Sequence, residues 1–266
     1  MSREIYAGVD VGASHTKVAI LDEEKRVLGY AVRKSGTDFS HTAETCLTSA
    51  LETARRSRLD VAGCISTGYG RKNVPFRHDT KTEIGCHARG CYYYFPVEMT
   101  VIDIGGQDNK VIKLDDQGRR LSFKMNRKCA AGTGAFLEEM SQRLGIPLED
   151  MDNLARASDN MVELGSYCTV FSATEVLENI RQGKKISDIA KGLFFSVVKR
   201  VMEMDPLTGR VVMTGGVVAH NPFLVEMVGE ITGRRIMVPE FPQLTGAIGA
   251  SLIAMEGESK PSAMLA

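Results

Sequence analysis

The sequence predicts an α/β protein built from two related halves, and three observations lead to this prediction. Residues 10–22 and 103–115 both follow the pattern D-x-G-x-x-x-x-K-V-x-x-L-D. Each copy begins with an apolar run that ends in aspartate, IYAGVD or TVID, which is typical of a buried strand. Each half later contains an apolar run that ends in Thr-Gly, in CISTGYG and in VVMTGGVV. The repeat therefore predicts two strand-hairpin-helix-strand units.

The elements of the first half follow one another along residues 1–98. The glycine after Asp10 and Val11 allows the backbone to approach a ligand closely. A second strand begins near Lys17, and the turn DEEK leads into a third strand, VLGYAV. The apolar pattern of HTAETCLTSALETARR predicts a helix, and CISTG is the closing strand. We place the crossover to the second half at FPVEM.

The second half, residues 99–242, repeats the hairpin with the turn DDQG and the strand LSFKM. Helical periodicity begins at AAGTGAFLEEMSQRL and ends at Gly145. A further helix is predicted for SATEVLENIRQG, where Ser172 and Glu175 have capping-box spacing and Gly183 marks the end. This half therefore carries a helical insertion, from Gly145 to about residue 206.

The C-terminal segment is predicted to leave the second half. Residues 243–257, QLTGAIGASLIAMEG, are predicted to form a helix that packs back on the first domain. Residues 258–266 are expected to form a flexible tail.

Length and charge restrict the class of protein. With 266 residues and 43% hydrophobic residues, the chain can bury two modest cores. Its 33 basic and 33 acidic residues cancel, which removes the electrostatic argument for a nucleic-acid partner. No signal peptide is recognisable before the first strand, and no apolar run approaches the ~20 residues of a membrane helix. We therefore expect a cytoplasmic protein without nucleic-acid or membrane partners.

The duplicated motif favours a nucleotide site. Two halves facing each other would place two aspartates and two glycine turns around one polyphosphate held through hydrated Mg²⁺. A single D-x-G after a strand would indicate only a turn, so the hypothesis depends on the duplication. The sequence contains no G-x-x-x-x-G-K-[ST], which excludes a P-loop as the phosphate-binding device.

The six cysteines are the second chemical signal, since structural disulfides are rare in the cytosol. Cys129 and Cys168 each precede a predicted helix, whose positive N-terminus would stabilise a thiolate. Two such thiols per chain give four in a symmetric dimer, the number that a 4Fe-4S cluster requires. The alternative is that both are small buried hydrophobic residues.

The other four cysteines have weaker signals. Cys46 lies on the inner stripe of a predicted helix and Cys64 in an apolar strand, so both are predicted core residues. Cys86, His87 and Cys91 have ligand-like chemistry at short spacing in CHARGC. A metal role and a structural role both remain open for these three.

Longer motifs in the chain resemble known families. GVDVG, DIGG and VVMTGGVV resemble the phosphate-1, phosphate-2 and adenosine motifs of the acetate and sugar kinase, Hsp70 and actin superfamily. That resemblance implies two ribonuclease-H-like domains with a nucleotide cleft between them. TGYGRKN, TEIGCHARG, DIGGQDNKVI, MNRKCAAGTGAFLE and SYCTVFSATEV resemble a narrower family, the ATP-dependent activators of 2-hydroxyacyl-CoA dehydratases (the BadF/BadG/BcrA/BcrD-type ATPases). The resemblance spans the chain from Ile5 to about Met255.

The narrower family implies an electron-transfer ATPase. A homodimer would hold one 4Fe-4S cluster through Cys129 and Cys168 of both subunits. The cluster would receive an electron from ferredoxin or flavodoxin, and ATP would drive that electron to a low-potential iron-sulfur enzyme such as a 2-hydroxyacyl-CoA dehydratase. A double-cubane cluster protein and benzoyl-CoA reductase are the alternative acceptors.

The resemblance also implies roles for the motif residues around Mg²⁺ and ATP or ADP. Asp10 and Asp103 would hold Mg²⁺ through water, and Gln107 is the candidate for orienting the attacking water. Phosphate contacts are expected from Gly12, Ala13, Ser14, His15, Thr16, Lys17, Gly105 and Gly106. The ribose and adenine are expected to be surrounded by Gly132, Thr133, Gly134, Gly215, Gly216 and Val217.

Two other functions are compatible with the repeat. A sugar or carboxylate kinase of the same superfamily would share the repeat and TGGVV, but it would not account for the two cysteine motifs. An ATP-gated assembly module like actin or Hsp70 is the third hypothesis. Iron content separates them, because only the activator should carry an iron-sulfur cluster.

Overall fold

Two compact units make up the protein. Unit 1 contains the chain up to Val97, the segment Asp115–Arg120 and the chain from Leu244, and unit 2 contains Glu98–Leu114 and Leu121–Gln243. The computed structural model describes residues 4–126, 129–165 and 168–258. The predicted tail beyond residue 258 lies outside the described residues.

The helices and strands alternate along the chain. The first half contains β1 (Ile5–Val11), β2 (His15–Asp22), β3 (Val27–Lys34), α1 (Phe39–Ala54), β4 (Val61–Thr67), β5 (Asp79–Thr80) and α2 (Glu83–Tyr94). The second half contains β6 (Met99–Ile104), β7 (Asn109–Leu114), β8 (Arg120–Asn126), α3 (Gly134–Leu144), α4 (Met151–Arg156), α5 (Thr169–Arg181), α6 (Ile186–Met204), β9 (Val211–Thr214), α7 (Gly216–His220), α8 (Pro222–Thr232) and β10 (Ile236–Met237). Helix α9 (Thr245–Glu258) follows.

The two sheets have the same strand arrangement. The strand order is β3-β2-β1-β4-β5 in unit 1 and, in the corresponding direction, β8-β7-β6-β9-β10 in unit 2. In each sheet the first two strands pair antiparallel, as β1 with β2 and β6 with β7. The first strand also pairs in parallel with the strand that ends in Thr-Gly, β4 or β9. The prediction of an α/β protein with two related units is confirmed.

The register brings the repeated polar residues together. In each sheet, the aspartate near the end of the first strand lies opposite the motif lysine on one side and the threonine of Thr-Gly on the other. The register pairs are Asp10 with Lys17 and Thr67, and Asp103 with Lys110 and Thr214. Since the carboxyl ends of parallel strands meet at one sheet edge, each unit presents an Asp-Lys-Thr group there.

Unit 1 buries both faces of its sheet. Helix α1 packs against β2 and β3 on one face, and α9 packs against β1, β4 and α2. The packing of α9 is close because glycines face it: a Cβ on Gly8 would lie 1.9 Å from the Ala247 carbonyl oxygen, and one on Gly90 2.1 Å from that of Thr245. These contacts explain why α9 is apolar without a clear amphipathic pattern.

Unit 2 has the larger helical layer. Its core joins Ile102 and Met213 of the sheet to side chains of α3, α4, α6 and α8, among them Phe136 and Phe194. The predicted helical insertion thus supplies a large part, although less than half, of the buried residues in this core. No helix among the described residues is long and apolar enough to cross a membrane.

Two helix starts in unit 2 differ from the prediction. Helix α3 begins at Gly134 and not directly after Cys129, because Gly132 has a left-handed φ of 80° and Thr133 is extended, which no helix accommodates. Helix α5 begins directly after Cys168, so the expected capping box at Ser172 is wrong. Ser172 lies buried inside the first turn, where its N–H donates to the Cys168 carbonyl at 2.8 Å.

Candidate nucleotide and cysteine sites

In unit 1, the glycine motif forms a tight turn between β1 and β2. The Gly12 N–H donates to the His15 carbonyl at 3.0 Å, and a Cβ on Gly12 would lie 2.9 Å from that oxygen. The Ser35 hydroxyl donates to the Gly12 carbonyl at 2.7 Å and lies 2.9 Å from the buried Thr16 hydroxyl. Ala13 is exposed at the tip of the turn, with Ser14 half-buried beside it.

Unit 2 repeats this turn between β6 and β7. The Gly105 N–H donates to the Asp108 carbonyl at 2.9 Å, which is the equivalent of the bond in unit 1. The Gly105 and Gly106 carbonyls accept from the N–H groups of Gly134 and Ala135 at 2.9 and 2.7 Å. The turn is thereby attached to the N-terminus of α3. Gln107, the candidate for orienting water, is exposed at its tip.

The carboxylate of Asp103 is fully hydrogen-bonded. Lys110 donates to Oδ2 at 3.0 Å and Thr214 donates to Oδ1 at 3.0 Å. Lys110 also binds Asp108 at 2.7 Å, and the Lys110 side chain is only 2% exposed. A buried lysine with two carboxylate partners makes a rigid polar group.

The carboxylate of Asp10 has the same lysine but a different second contact. Lys17 donates to Oδ2 at 3.0 Å. The Thr67 hydroxyl, in the position of Thr214, instead donates to the Lys81 carbonyl at 3.0 Å. Oδ1 of Asp10 is buried and has no hydrogen-bond partner among the described residues. An unsatisfied buried oxygen is costly, so its chemistry fits a partner from a ligand such as hydrated Mg²⁺.

Two glycines pack closely against the Asp10 carboxylate. Gly68 has a φ of 85°, and a Cβ there would lie 2.5 Å from Oδ1. A Cβ on Gly246 would lie 3.2 Å from both Asp10 Oδ2 and His87 Nε2. His87 is buried, and its Nδ1 lies 3.0 Å from the Thr245 hydroxyl. The structure therefore places His87 of the CHARGC motif beside Asp10.

The residues predicted to surround ribose and adenine lie in unit 2. Gly132 and Gly215 have positive φ values of 80° and 104°, and a Cβ on Gly215 would lie 2.3 Å from the Ile104 carbonyl. The Gly132 carbonyl accepts from Asn109 Nδ2 at 2.7 Å. Thr133 is buried and its hydroxyl donates to the Ala130 carbonyl. The other three residues predicted to surround ribose and adenine lie in the first turns of helices, namely Gly134 in α3 and Gly216 and Val217 in α7.

The six cysteines divide into two groups. Four are buried, and burial raises the pKa of Cys46 to about 11 and the pKa values of Cys64 and Cys86 to about 12. Cys91 is the fourth buried cysteine. The two in MNRKCAAGTGAFLE and SYCTVFSATEV differ from these, since Cys129 is half-buried and Cys168 is exposed.

The surroundings of the accessible cysteines are basic and apolar. Arg200 of α6 contacts Cys129; burial lowers the pKa of its guanidinium, but Glu203 and Cys129 outweigh this and the pKa is raised. Cys168 is the N-cap of α5. Three apolar side chains of α5 are exposed, Val170 by 71%, Phe171 by 65% and Leu177 by 50%. An exposed thiol beside exposed apolar side chains is unusual for a surface that faces only solvent.

The CHARGC segment lies within α2. Within the described parts of the chain, no three His, Cys, Asp or Glu side chains are placed to hold a metal ion together. Cys86, His87 and Cys91 are all buried in α2.

Sequence reasoning missed three polar residues at these sites. Asp108 and Asn109 occupy the repeat positions of His15 and Thr16, and Asn109 is buried with an Oδ1 that has no partner among the described residues. Glu83 lies 3.9 Å from His87 through Oε1 and Nε2. The repeat itself held a signal for Asn109, because a polar residue precedes the motif lysine in both copies.

Known proteins share this sequence and fold. The family model described as the BadF/BadG/BcrA/BcrD ATPase family matches residues 7–254. The 2-hydroxyisocaproyl-CoA dehydratase activator of Clostridioides difficile is 39% identical over 96% of both chains.

Two solved structures are similar to this chain in both sequence and fold. Component A of the (R)-2-hydroxyglutaryl-CoA dehydratase of Acidaminococcus fermentans has a TM-score of 0.91 at 36% identity, over 97% of this chain and 100% of that one. The Clostridium difficile activator with bound ADPNP has a TM-score of 0.90 at 36% identity, over 98% and 100%.

A more distant structure identifies the wider fold. A glucokinase of the ROK family from Streptomyces griseus has a TM-score of 0.57 at 14% identity, over 95% and 100% of the two chains, which shows a common fold alone. The predicted superfamily fold is thus confirmed. With a family match over nearly its whole length, the chain belongs to the BadF/BadG/BcrA/BcrD ATPase family.

Proposed function

We propose that this protein is an ATP-hydrolysing activator of a 2-hydroxyacyl-CoA dehydratase. A homodimer would carry one 4Fe-4S cluster, receive an electron from ferredoxin or flavodoxin in the cytoplasm, and pass it to the dehydratase when ATP is hydrolysed. The C. difficile and A. fermentans relatives named for such dehydratases support this reaction class.

The accessible cysteines carry the proposal. Cys129 and Cys168 lie in MNRKCAAGTGAFLE and SYCTVFSATEV, the two motifs implied to hold the cluster, and they are also the two cysteines that are not buried. A 4Fe-4S cluster needs four thiolates, so a second copy of the chain would supply the other two. The exposed apolar side chains of α5 beside Cys168 suit burial against that copy. When bound, the cluster supplies one-electron transfer.

Nucleotide binding would use both carboxylate sites. Asp10, whose Oδ1 has no partner in the described part of the chain, and Asp103 would hold the waters of Mg²⁺, and the two glycine turns would donate N–H groups to the phosphates. Lys17 and Lys110 orient both carboxylates through hydrogen bonds of 3.0 Å.

A contact path within unit 2 supports coupling between nucleotide and cysteines. The turn at Gly105 and Gly106 is hydrogen-bonded to the first residues of α3. Helix α3 packs against α5, which begins directly after Cys168. A change in phosphate contacts at the turn would therefore reach the thiol through two packed helices.

The test is iron and sulfide content after purification without oxygen. We expect about four irons per dimer and an absorption that dithionite bleaches. Cys129→Ser and Cys168→Ser should lose the iron, whereas the matched control Cys46→Ala, a buried cysteine, should keep it. Iron-free protein that transfers ATP phosphate to a sugar or carboxylate would instead establish a kinase.

The acceptor is tested separately with the reduced, iron-loaded dimer. ATP-dependent activation of a 2-hydroxyacyl-CoA dehydratase would support the proposal. Electron transfer only to benzoyl-CoA reductase or to a double-cubane protein would keep the electron-transfer function and replace the partner.

A further inference from the structure

Three polar groups of unit 1 lie close together. A Cβ on Gly246 would lie 3.2 Å from Asp10 Oδ2 and 3.2 Å from His87 Nε2, so both atoms lie close to this glycine. Glu83 Oε1 lies 3.9 Å from the same His87 nitrogen. The charges of Asp10 and Glu83 both act on the buried Cys86 thiol, which agrees with their closeness.

The imidazole of His87 has a fixed orientation. The ring is buried in α2, and its Nδ1 lies 3.0 Å from the Thr245 hydroxyl of α9, which is itself buried. Because Nδ1 is committed to Thr245, Nε2 is the ring nitrogen that faces Glu83, and it lies close to Gly246, as Asp10 Oδ2 does.

The carboxylate of Glu83 is placed between protein and solvent. Glu83 is the first residue of α2, where the helix dipole favours a negative charge, and its side chain is 24% exposed. The 3.9 Å to His87 is too long for a direct hydrogen bond and suits one water molecule that contacts both groups.

We propose that Glu83 is the catalytic base that receives a proton from the attacking water in ATP hydrolysis, and that His87 positions this water. The inference rests on the proposed ATP hydrolysis. The water oxygen bonds to the γ-phosphorus, the bond from that phosphorus to the β,γ-bridging oxygen breaks, and ADP leaves with the electron pair. One water proton passes to Glu83 and from there to phosphate or solvent.

This assignment differs in chemistry from that of Gln107. An amide can orient water but cannot take up its proton, whereas a carboxylate does both. Glu83 also lies in the unit whose aspartate has an unpartnered oxygen, so water, cation and base would share one neighbourhood.

The experiment measures ATPase kcat and the Kd for Mg-ADPNP of the anaerobically purified holoprotein. We expect Glu83→Gln to lower kcat about 100- to 1,000-fold, within the range for a lost acid-base group, with Kd changed less than about twofold. His87→Gln should lower kcat less, about tenfold, again without a large change in Kd. The matched control is Glu52→Gln, an exposed helical glutamate of α1, which should leave both values unchanged.

Two results would overturn the assignment. One is a Glu83→Gln variant with kcat within about threefold of the parent, and the other is a Kd that rises in proportion to the loss of kcat. If Glu83→Gln does not fold, Glu83→Asp keeps the charge and withdraws it by one methylene, and it must still lower kcat at unchanged Kd. An iron-containing ATPase that is indifferent to Glu83 refutes this inference alone, whereas an iron-free parent protein refutes the proposed function.

Discussion

In unit 1, Lys17 binds one oxygen of Asp10 and the other oxygen has no partner among the described residues. In unit 2, Lys110 and Thr214 satisfy both oxygens of Asp103. The repeat placed the same three residue types at both positions. Even so, both oxygens of Asp103 accept hydrogen bonds, whereas only one oxygen of Asp10 does so among the described residues. A duplicated motif can therefore keep its backbone in both copies while one copy becomes a support and the other stays open to a ligand.

The lysines show the same division. Lys110 is 2% exposed and touches two carboxylates, whereas Lys17 is 17% exposed. The cysteines differ too: unit 1 contains the four buried ones, and unit 2 contains the half-buried Cys129 and the exposed Cys168. We therefore expect unit 1 to make most of the contacts with Mg²⁺ and the attacking water, and unit 2 to carry the electron transfer.

The largest expected effect is on stability. Lys110→Met should destabilise unit 2 by about 3–5 kcal/mol, because it leaves Asp103 buried without its counter-ion. Lys17→Met should lower the free energy of unfolding by less, because the Lys17 side chain is 17% exposed and water can reach it. Urea denaturation with hydrogen exchange on β6 and β7 measures the difference. Equal losses for the two variants would contradict the comparison.

Next in size is an effect on ligand binding. Asp10→Asn should weaken Mg-ADPNP binding about 10- to 100-fold with little loss of stability, because its unpartnered oxygen belongs to the ligand. Asp103→Asn should mainly destabilise the protein, since it disturbs a completed buried network. Isothermal titration and denaturation of both variants separate these outcomes, and the reverse pattern would exchange the two roles.

A smaller difference should separate the two threonines. Thr214→Val should cost about 1–3 kcal/mol, because it removes a donor from a buried carboxylate. Thr67→Val should cost about 1 kcal/mol or less, because its hydroxyl donates to the carbonyl of exposed Lys81, which water can replace. Denaturation midpoints measure both, and a greater loss for Thr67→Val would show that Thr67 does support Asp10.

The smallest effect is a pH dependence from unit 1. Burial raises the pKa of Cys46 to about 11, so this thiol's contribution to stability is complete below the unfolded pKa and is lost as pH rises through the folded value. Between pH 8 and 10 the parent protein should lose about 1 kcal/mol more than Cys46→Ala. Urea denaturation at each pH gives the free energy of unfolding of both proteins. If this free energy fell equally in both as the pH rises, the thiol would not ionise on unfolding, and the prediction would be wrong.

Much of the fold could be predicted because its signals are local and duplicated. Apolar runs ending in aspartate became β1 and β6, and the turns DEEK and DDQG became the hairpins. The start of α3 was not predictable from periodicity, since the positive φ of Gly132 interrupts an otherwise helical pattern. Ser172 and Glu175 had capping spacing, but burial of Ser172 inside α5 prevailed over that local pattern.

The candidate site was predictable only in part. The motif residues were all identifiable from sequence, and the repeat also held a signal for Asn109. The roles of Glu83 and Asp108 were not identifiable, because a polar residue in the sequence does not show which side chain it contacts. The cysteines illustrate the same limit: motif resemblance singled out Cys129 and Cys168, and only the folded chain showed that these two escape burial.

The sequence by itself determined the duplicated sheets, the Asp-Lys pairs and the glycine turns, because each depends on residues close in sequence or repeated at a fixed spacing. The tertiary structure decided which of the two carboxylates has hydrogen bonds to both of its oxygens. That choice depends on where one threonine hydroxyl points, to Asp103 in unit 2 or to the Lys81 carbonyl in unit 1, and on α9 bringing Thr245 and Gly246 to His87. Contacts between residues far apart in sequence leave no local pattern, so only the folded chain reveals them.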